Sequence, residues 1–257
     1  MLQQAPPASP LPRLAGLVEM KDITYADVSS LLIYGPPGIG KTELAGNFEP
    51  PGFTKRFIID FEAGLKVIQH KPASVYRVAT YDKLYAGITY LEQETEHNVV
   101  IVDSMTEMAR VIMMGALAMP AAGSGRPMME IPVLQDWSLT IERMRTMVRR
   151  VRLLIQKGKW VIFIASSGIN KDALSGRILG GPEVPGKDLP SEVCYLMDEV
   201  YRMDAVMLPG TTVSKRQLWT QPDSIWMAKS RVQGAPAVIE VKQGDPNTLS
   251  FLWKGAK

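Results

Sequence analysis

Residues 35–46 read GPPGIGKTELAG, between the apolar run at 31–34 (LLIY) and a helix-forming stretch. This string constrains the fold more than any other feature of the chain. It fits G-x-x-x-x-G-K-[ST], the phosphate-binding loop that connects a buried strand to a helix. Glycines let backbone N–H groups turn inward and approach phosphate oxygens with no Cβ in the way. The helix that follows points its unpaired donors at the same anion. Lys41 adds a full charge for the β and γ phosphates, and the Thr42 hydroxyl can complete a magnesium shell. The loop residues Gly35, Pro36, Pro37, Gly38, Ile39, Gly40, Lys41, Thr42 and Glu43 are therefore the expected nucleotide contacts, with ATP and Mg2+ as the implied cofactors.

A loop of this kind needs a parallel sheet around it, and the rest of the chain supplies the pattern. Short runs rich in Val and Ile at 31–34, 56–60, 75–79, 99–103 and 160–165 suit strands buried on both faces. Helical patterns at 42–48, 81–94 and 134–157 alternate with them, which implies helices on both faces of a mostly parallel sheet. The 134–157 helix carries Trp137, Ile141, Met144, Val148, Val151 and Ile155 as a stripe. Its other faces hold Arg143, Arg145, Arg149, Arg150 and Arg152, either a solvated face or a subunit or nucleic-acid contact. After Pro190, strands are expected at 198–206, 216–220 and 224–232, an antiparallel extension of the same sheet. The expected organisation is a flexible proline-rich arm at 1–14 and one domain at 15–257, extended from about residue 197.

Two carboxylate-bearing strand ends complete the expected site. VVIVDS at 99–104 delivers Asp103 to the metal end of a phosphate site. In FIIDFE at 57–62, Asp60 and Glu62 are two apart, so on a strand they face the same way, and one of them can position or deprotonate an attacking water. The segments 118–132 and 168–190 are rich in Gly and Pro, and loops of that length in a compact domain are usually functional or disordered. Both follow strands ending on the ligand-binding edge of an open α/β sheet.

Together these motifs resemble the RecA-like branch of P-loop ATPases, from about residue 31 to 232. FIIDFEAG is similar to the strand ending in an aspartate and then the catalytic glutamate, which puts Glu62 in the catalytic place. VVIVDS matches the metal-site strand, and VIFIAS at 161–166 resembles the γ-phosphate-sensing strand, with Ala165 and Ser166 standing where RecA has Asn-Gln. AKSRV at 228–232 resembles the segment that reaches a neighbour's γ-phosphate, so the resemblance implies catalytic roles for Lys229 and Arg231; charges blocking an exposed edge strand are the other reading. The two long loops fall where RecA binds DNA, which implies phosphate contacts from Arg126, Lys171, Arg177 and Lys187.

More narrowly the chain resembles the short phage and prophage ATPases built of little beyond a RecA core. Asp60, Glu62 and Gly64, the run Asp103-Ser104-Met105-Thr106-Glu107, Pro185-Gly186-Lys187 and the late Lys229 and Arg231 fit their motif order. The resemblance implies an α/β RecA-like P-loop NTPase core with C-terminal antiparallel strands. The activity it implies is ATP hydrolysis stimulated by single-stranded DNA, in a homo-oligomeric filament or ring, with single-strand-binding or annealing proteins as partners in recombination. An AAA+-type helicase loader or ring motor shares the GPPGIGKT string, and a nucleotide or small-molecule kinase shares the loop.

The bulk numbers bound these readings. A chain of 257 residues with 46% hydrophobic content can bury a large core, and a net charge of +3 permits an anionic partner without demanding one. The single cysteine, Cys194, excludes an intramolecular disulfide framework and fits a reducing cytoplasm, the host's if the chain is phage-encoded. No apolar run reaches about 18 residues, so no membrane span is expected, and the first residues lack a secretory signal pattern.

Overall fold

The computed structural model describes residues 28–119, 131–171, 178–207, 210 and 214–254. The expected arm at 1–14, Arg126 and Arg177 lie outside these residues. The strands are β1 (Ser30–Gly35), β2 (Arg56–Asp60), β3 (Ala73–Arg77), β4 (Val99–Asp103), β5 (Trp160–Lys171), β6 (Ile178–Pro182), β7 (Glu199–Met207), β8 (Ser214–Trp219) and β9 (Val238–Glu240). The helices are α1 (Lys41–Gly46), α2 (Tyr81–Gln93), α3 (Met105–Leu117), α4 (Leu134–Arg152), α5 (Leu189–Leu196) and α6 (Phe251–Lys254). The sheet runs β3-β2-β4-β5-β1-β7-β8-β9, with β6 paired to β5 off this path. β1 to β5 and β7 pair in parallel, and β8 and β9 add antiparallel strands. This is the expected mostly parallel sheet around a P-loop, with helices on both faces and C-terminal antiparallel strands.

The apolar runs sort onto two faces with period two, as strands covered on both sides must. Leu32, Tyr34, Ile59, Val100, Val102, Val161 and Phe163 face α2, α3, α4 and α5. Leu31, Ile33, Ile58, Val99, Ile101, Ile162 and Ile164 face α1 and the C-terminal residues Leu249 and Leu252. Met144, Val148 and Val151 of α4 are fully buried, each worth about 1.5–3 kcal/mol of transfer free energy.

The structure revises several expected elements. α3 falls directly after β4, started by the Ser104 side chain, which accepts from Glu107 N; the S-x-x-E spacing is the signal for it. The 134–157 helix ends at Arg152 and tightens into a 3-10 turn, Leu153–Lys157, closed by Gly158 at φ 74°. Its apolar stripe holds from Ile141 onward, whereas Trp137 is 44% exposed and lines a cavity with Thr106, Arg110 and Met113. Most of the arginines on this helix are absorbed by the fold. Arg145 pairs with Glu192 and Glu142, Arg150 with Glu92, and Arg152 with Asp198, while Arg143 lies over the Tyr81 ring.

The segment 168–190 is not one long loop. β5 continues to Lys171 and returns antiparallel through β6, and α5 begins at Leu189. A Cβ on Gly180 would meet the Trp226 ring at 2.3 Å, and one on Gly181 would meet Met227 Cε at 2.2 Å. The strand expected at 224–232 is absent. Asp223 Oδ1 accepts from Ile225 N and Trp226 N, turning the chain. The backbone then bonds Gly180 and Val200 as isolated bridges, and β9 takes the place beside β8.

Candidate nucleotide site

Parallel strands bring their C-terminal ends to one edge, and the registers align the expected residues there. Gly35 is paired with Ser166, and Asp60 with Asp103. Gly40 adopts φ 102°, a conformation costly for any side chain, as the loop enters α1. Lys41 Nζ donates to Gly35 O and Pro36 O, both at 2.8 Å. Thr42 Oγ1 donates to Asp103 Oδ2 at 2.9 Å. A cavity of about 480 Å³ is lined by Pro37, Gly38, Gly40, Lys41, Thr42, Glu43, Glu62, Asp103, Ser104, Ser166, Arg216 and Gln243, among others. Ile39 packs against the core instead, and Gly35 is pressed against Met203 O, where a Cβ would come within 2.1 Å.

The two candidate carboxylates of β2 separate cleanly. Glu62 lines the cavity and accepts from Ser104 Oγ at 2.5 Å. Asp60 is buried; its Oδ1 accepts from Glu62 N and Ala63 N, which shapes the turn that presents Glu62. Its Oδ2 faces Arg77 Nε at 3.6 Å. Asp60 therefore positions, and Glu62 faces the space where a phosphate would react.

Electrostatics mark the same corner as short of positive charge. Burial raises the Asp103 carboxyl to about 6, with the charges of Glu62 and Asp60 adding to the rise against the Thr42 hydrogen bond and Lys41. Burial also lowers Lys41 from the usual lysine range, opposed by Asp103 and Glu62. The Asp103 carboxylate beside the Thr42 hydroxyl, with Glu62 lining the same cavity, offers oxygen donors of the kind a hard divalent cation takes. Thr42 and Asp103 are the residues placed to hold it.

Other expected residues lie elsewhere. Lys171 is at the exposed end of β5, and Lys187 lies in the bend just before α5. Lys229 and Arg231 sit away from the loop: the Lys229 backbone bridges Val200 beside Leu32, and Arg231 reaches Asp198, which binds Ser30 at the start of β1. Lys229 Nζ donates to Cys194 O at 2.9 Å and to Tyr195 O and Met197 O, capping the end of α5. Arg231, 59% exposed, pairs with Asp198 Oδ1 at 2.7 Å. Neither reaches the cavity of its own chain.

Sequence reasoning did not single out Arg216, Gln243 or the Thr106 link. Arg216 Nη1 pairs with Glu43 Oε2 at 2.8 Å, and Glu43 Oε1 accepts from Gly244 N at 2.8 Å. Thr106 Oγ1 accepts from Ser166 N and donates to Glu183 O, both at 3.0 Å. No local pattern announces these pairs, because they join residues far apart in the chain.

No helix among the described residues is long and apolar enough to cross a membrane. A comparison with curated proteins finds no match. Among solved structures, the chain is similar to the RadB recombinase at 16% identity and TM-score 0.48, covering 86% of this chain and 90% of that one. It is also similar to the flagellar accessory protein FlaH of Methanocaldococcus jannaschii at 12% identity and TM-score 0.46, covering 84% and 85%. A KaiC-like protein of Pyrococcus horikoshii matches at 12% identity and TM-score 0.47, covering 87% and 88%. The sequence itself matches the AAA_24 family, described as an AAA domain, over residues 29–232, from just before β1 through the loop, both carboxylate strands and Arg231. The chain belongs to the AAA_24 family of AAA domains.

Proposed function

We propose that the protein binds and hydrolyses ATP with Mg2+, and does so as an oligomer on single-stranded DNA. The observation that carries the ATPase reading is the convergence of Lys41, Thr42, Asp103 and Glu62 on one cavity at the strand ends. Lys41 already lies in that cavity, and its ammonium can transfer its two carbonyl hydrogen bonds to phosphate oxygens. Thr42 and Asp103 would hold the magnesium ion, whose chemistry is to neutralise charge on the β and γ phosphates. Glu62 orients the attacking water, and the Ser104 hydroxyl fixes Glu62 by its hydrogen bond.

Lys171 and Lys187, with Arg126 and Arg177, supply the positive charge for a DNA backbone. The assembly reading rests on Arg231, whose exposed guanidinium is available to a neighbouring subunit; Lys229 serves its own helix end. A helical lid after the core, which a ring motor of AAA+ type would use, is not present among the described residues; β7, β8 and β9 follow instead.

The test is ATP hydrolysis with and without single-stranded DNA, for the parent and for the combined Lys171→Ala, Arg177→Ala, Lys187→Ala protein. DNA should raise the parent rate. The variant should keep the basal rate, bind DNA more weakly and show a flatter salt dependence, since fewer counterions are released. An unstimulated rate sinks the DNA reading, and phosphoryl transfer to an added nucleoside or small alcohol in place of water favours a kinase.

A further inference from the structure

Arg216 stands in the middle of β8, more than 170 residues beyond the phosphate loop, yet its guanidinium lies against that loop. Arg216 Nη1 lies so close to Gly40 that a Cβ there would come within 2.4 Å of it, so the guanidinium rests on the loop backbone itself. Arg216 lines the same cavity as Lys41 and Glu62, and its side chain is 23% exposed. Its cation is held by Glu43 Oε2, and the other oxygen of Glu43 holds Gly244 N. Glu43 thus ties β8 and the segment after β9 to the first turn of α1.

Topology fixes which end of a nucleotide this arginine can serve. In the sheet order, β4 and β2, which carry Asp103 and Glu62, lie on one side of β1; β7 and β8 lie on the other. The metal and water chemistry is therefore on the far side of the loop from Arg216. A guanidinium flanking a phosphate-binding loop, with Nη1 alone given a partner among the described residues, retains donors for phosphate oxygens.

We infer that Arg216 is a nucleotide-binding residue acting within its own chain, contacting the phosphate chain that ATP and ADP share, and that Glu43 is its positioning residue. This rests on the ATP-binding reading and extends it to a residue on the other side of the loop. Because Arg216 approaches from the other side of the loop from the strands that carry Glu62 and Asp103, it strengthens binding of ATP and ADP alike and leaves the chemical step alone.

The experiment measures ATP and ADP affinity of the full chain by calorimetry with Mg2+, beside turnover at saturating ATP. Arg216→Ala should weaken both nucleotides about tenfold, the order of one charge-assisted hydrogen bond, with turnover at saturation within about threefold of the parent. Should alanine fail to fold, Arg216→Gln carries the same expectation. Glu43→Gln should weaken binding about threefold in the parent and add nothing in the Arg216→Ala background, the non-additivity of a residue that acts through another. At subsaturating ATP, mixing Arg216→Ala with Lys41→Ala protein should give no more turnover than the two proteins apart, since each defect then lies in its own chain's site. Parent-like affinity in a folded Arg216 variant, or rescue on mixing, overturns the role of Arg216 while Lys41→Ala still loses nucleotide. If Lys41→Ala also binds like the parent, the nucleotide reading falls with it.

Discussion

Replacing Thr106 by valine tests whether the phosphate cavity is mechanically tied to the β5–β6 hairpin. Thr106 is buried at the start of α3, and its hydroxyl joins Ser166, which lines the cavity, to Glu183 at the base of the hairpin. Glu183 N also donates to Ser166 O at 2.8 Å, so the three residues form one closed link. Valine keeps the shape and deletes the hydroxyl. The Glu183 residue is exposed, so its carbonyl regains water at little cost. Ser166 is partly buried, and leaving its amide unpaired costs about 1–3 kcal/mol. A total near 2 kcal/mol follows, which lowers Tm by about 4–8 °C for a chain of this size. Thermal unfolding by circular dichroism reads it directly, with Thr106→Ser, which retains the hydroxyl, close to the parent. On the proposed reading, in which single-stranded DNA stimulates hydrolysis, the stimulated rate should fall more than the basal rate, because the hairpin loses its hold on Ser166. A valine variant that melts within about 1 °C of the parent and keeps full stimulation refutes the link.

Asp198 accepts from Ser30 N at 3.0 Å and Ser30 Oγ at 2.7 Å and pairs with Arg152 and Arg231. Burial pushes its carboxyl up, but the Ser30 hydrogen bonds and the two arginines outweigh that and hold it below the usual aspartate range. Asp198→Ala should therefore cost about 3 kcal/mol at pH 7 in urea unfolding. This stabilisation is present above the ordinary aspartate value near about 4 and is lost as pH falls through the lowered one, so the parent–variant gap should shrink towards pH 2. Arg231→Ala protein should bind ATP normally and hydrolyse it slowly, and mixing it with Lys41→Ala protein should restore activity by pairing an intact loop with an intact arginine, an effect worth about 10³–10⁵ in rate. No rescue in proven mixed oligomers assigns Arg231 to its pairing with Asp198 alone.

The parallel core was legible because its signals are local. An apolar run ending in a glycine-rich loop or an aspartate dictates a buried strand and where its last residue points, so β2 and β4 fall at the expected residues. Lys41, Thr42, Glu62 and Asp103 meet because parallel strands of similar length bring their ends together. The choice between Asp60 and Glu62 could not be read from spacing, since it depends on which carboxylate the following turn consumes. The 224–232 segment reads as a strand by composition, but strand pairing is a property of the neighbour, and its neighbours are Gly180 and Val200 at single positions. The arginines of α4 read as a free cationic face because most of their acidic partners lie far along the chain, 46 to 58 positions away for Glu92, Glu192 and Asp198. Arg216 was invisible for the same reason: a register between β7 and β8 places it against the loop.

The most direct test of the central claim is single-turnover ATP hydrolysis by Glu62→Gln protein, measured beside its ATP affinity. Glutamine retains the shape and a hydrogen-bond acceptor for Ser104 but loses the charge that orients and deprotonates water. The account predicts ATP affinity within about threefold of the parent and hydrolysis slowed by about 10²–10⁴, the usual contribution of a positioned general base. Hydrolysis at the parent rate would contradict it, and with it the assignment of this cavity as the place where ATP is cleaved.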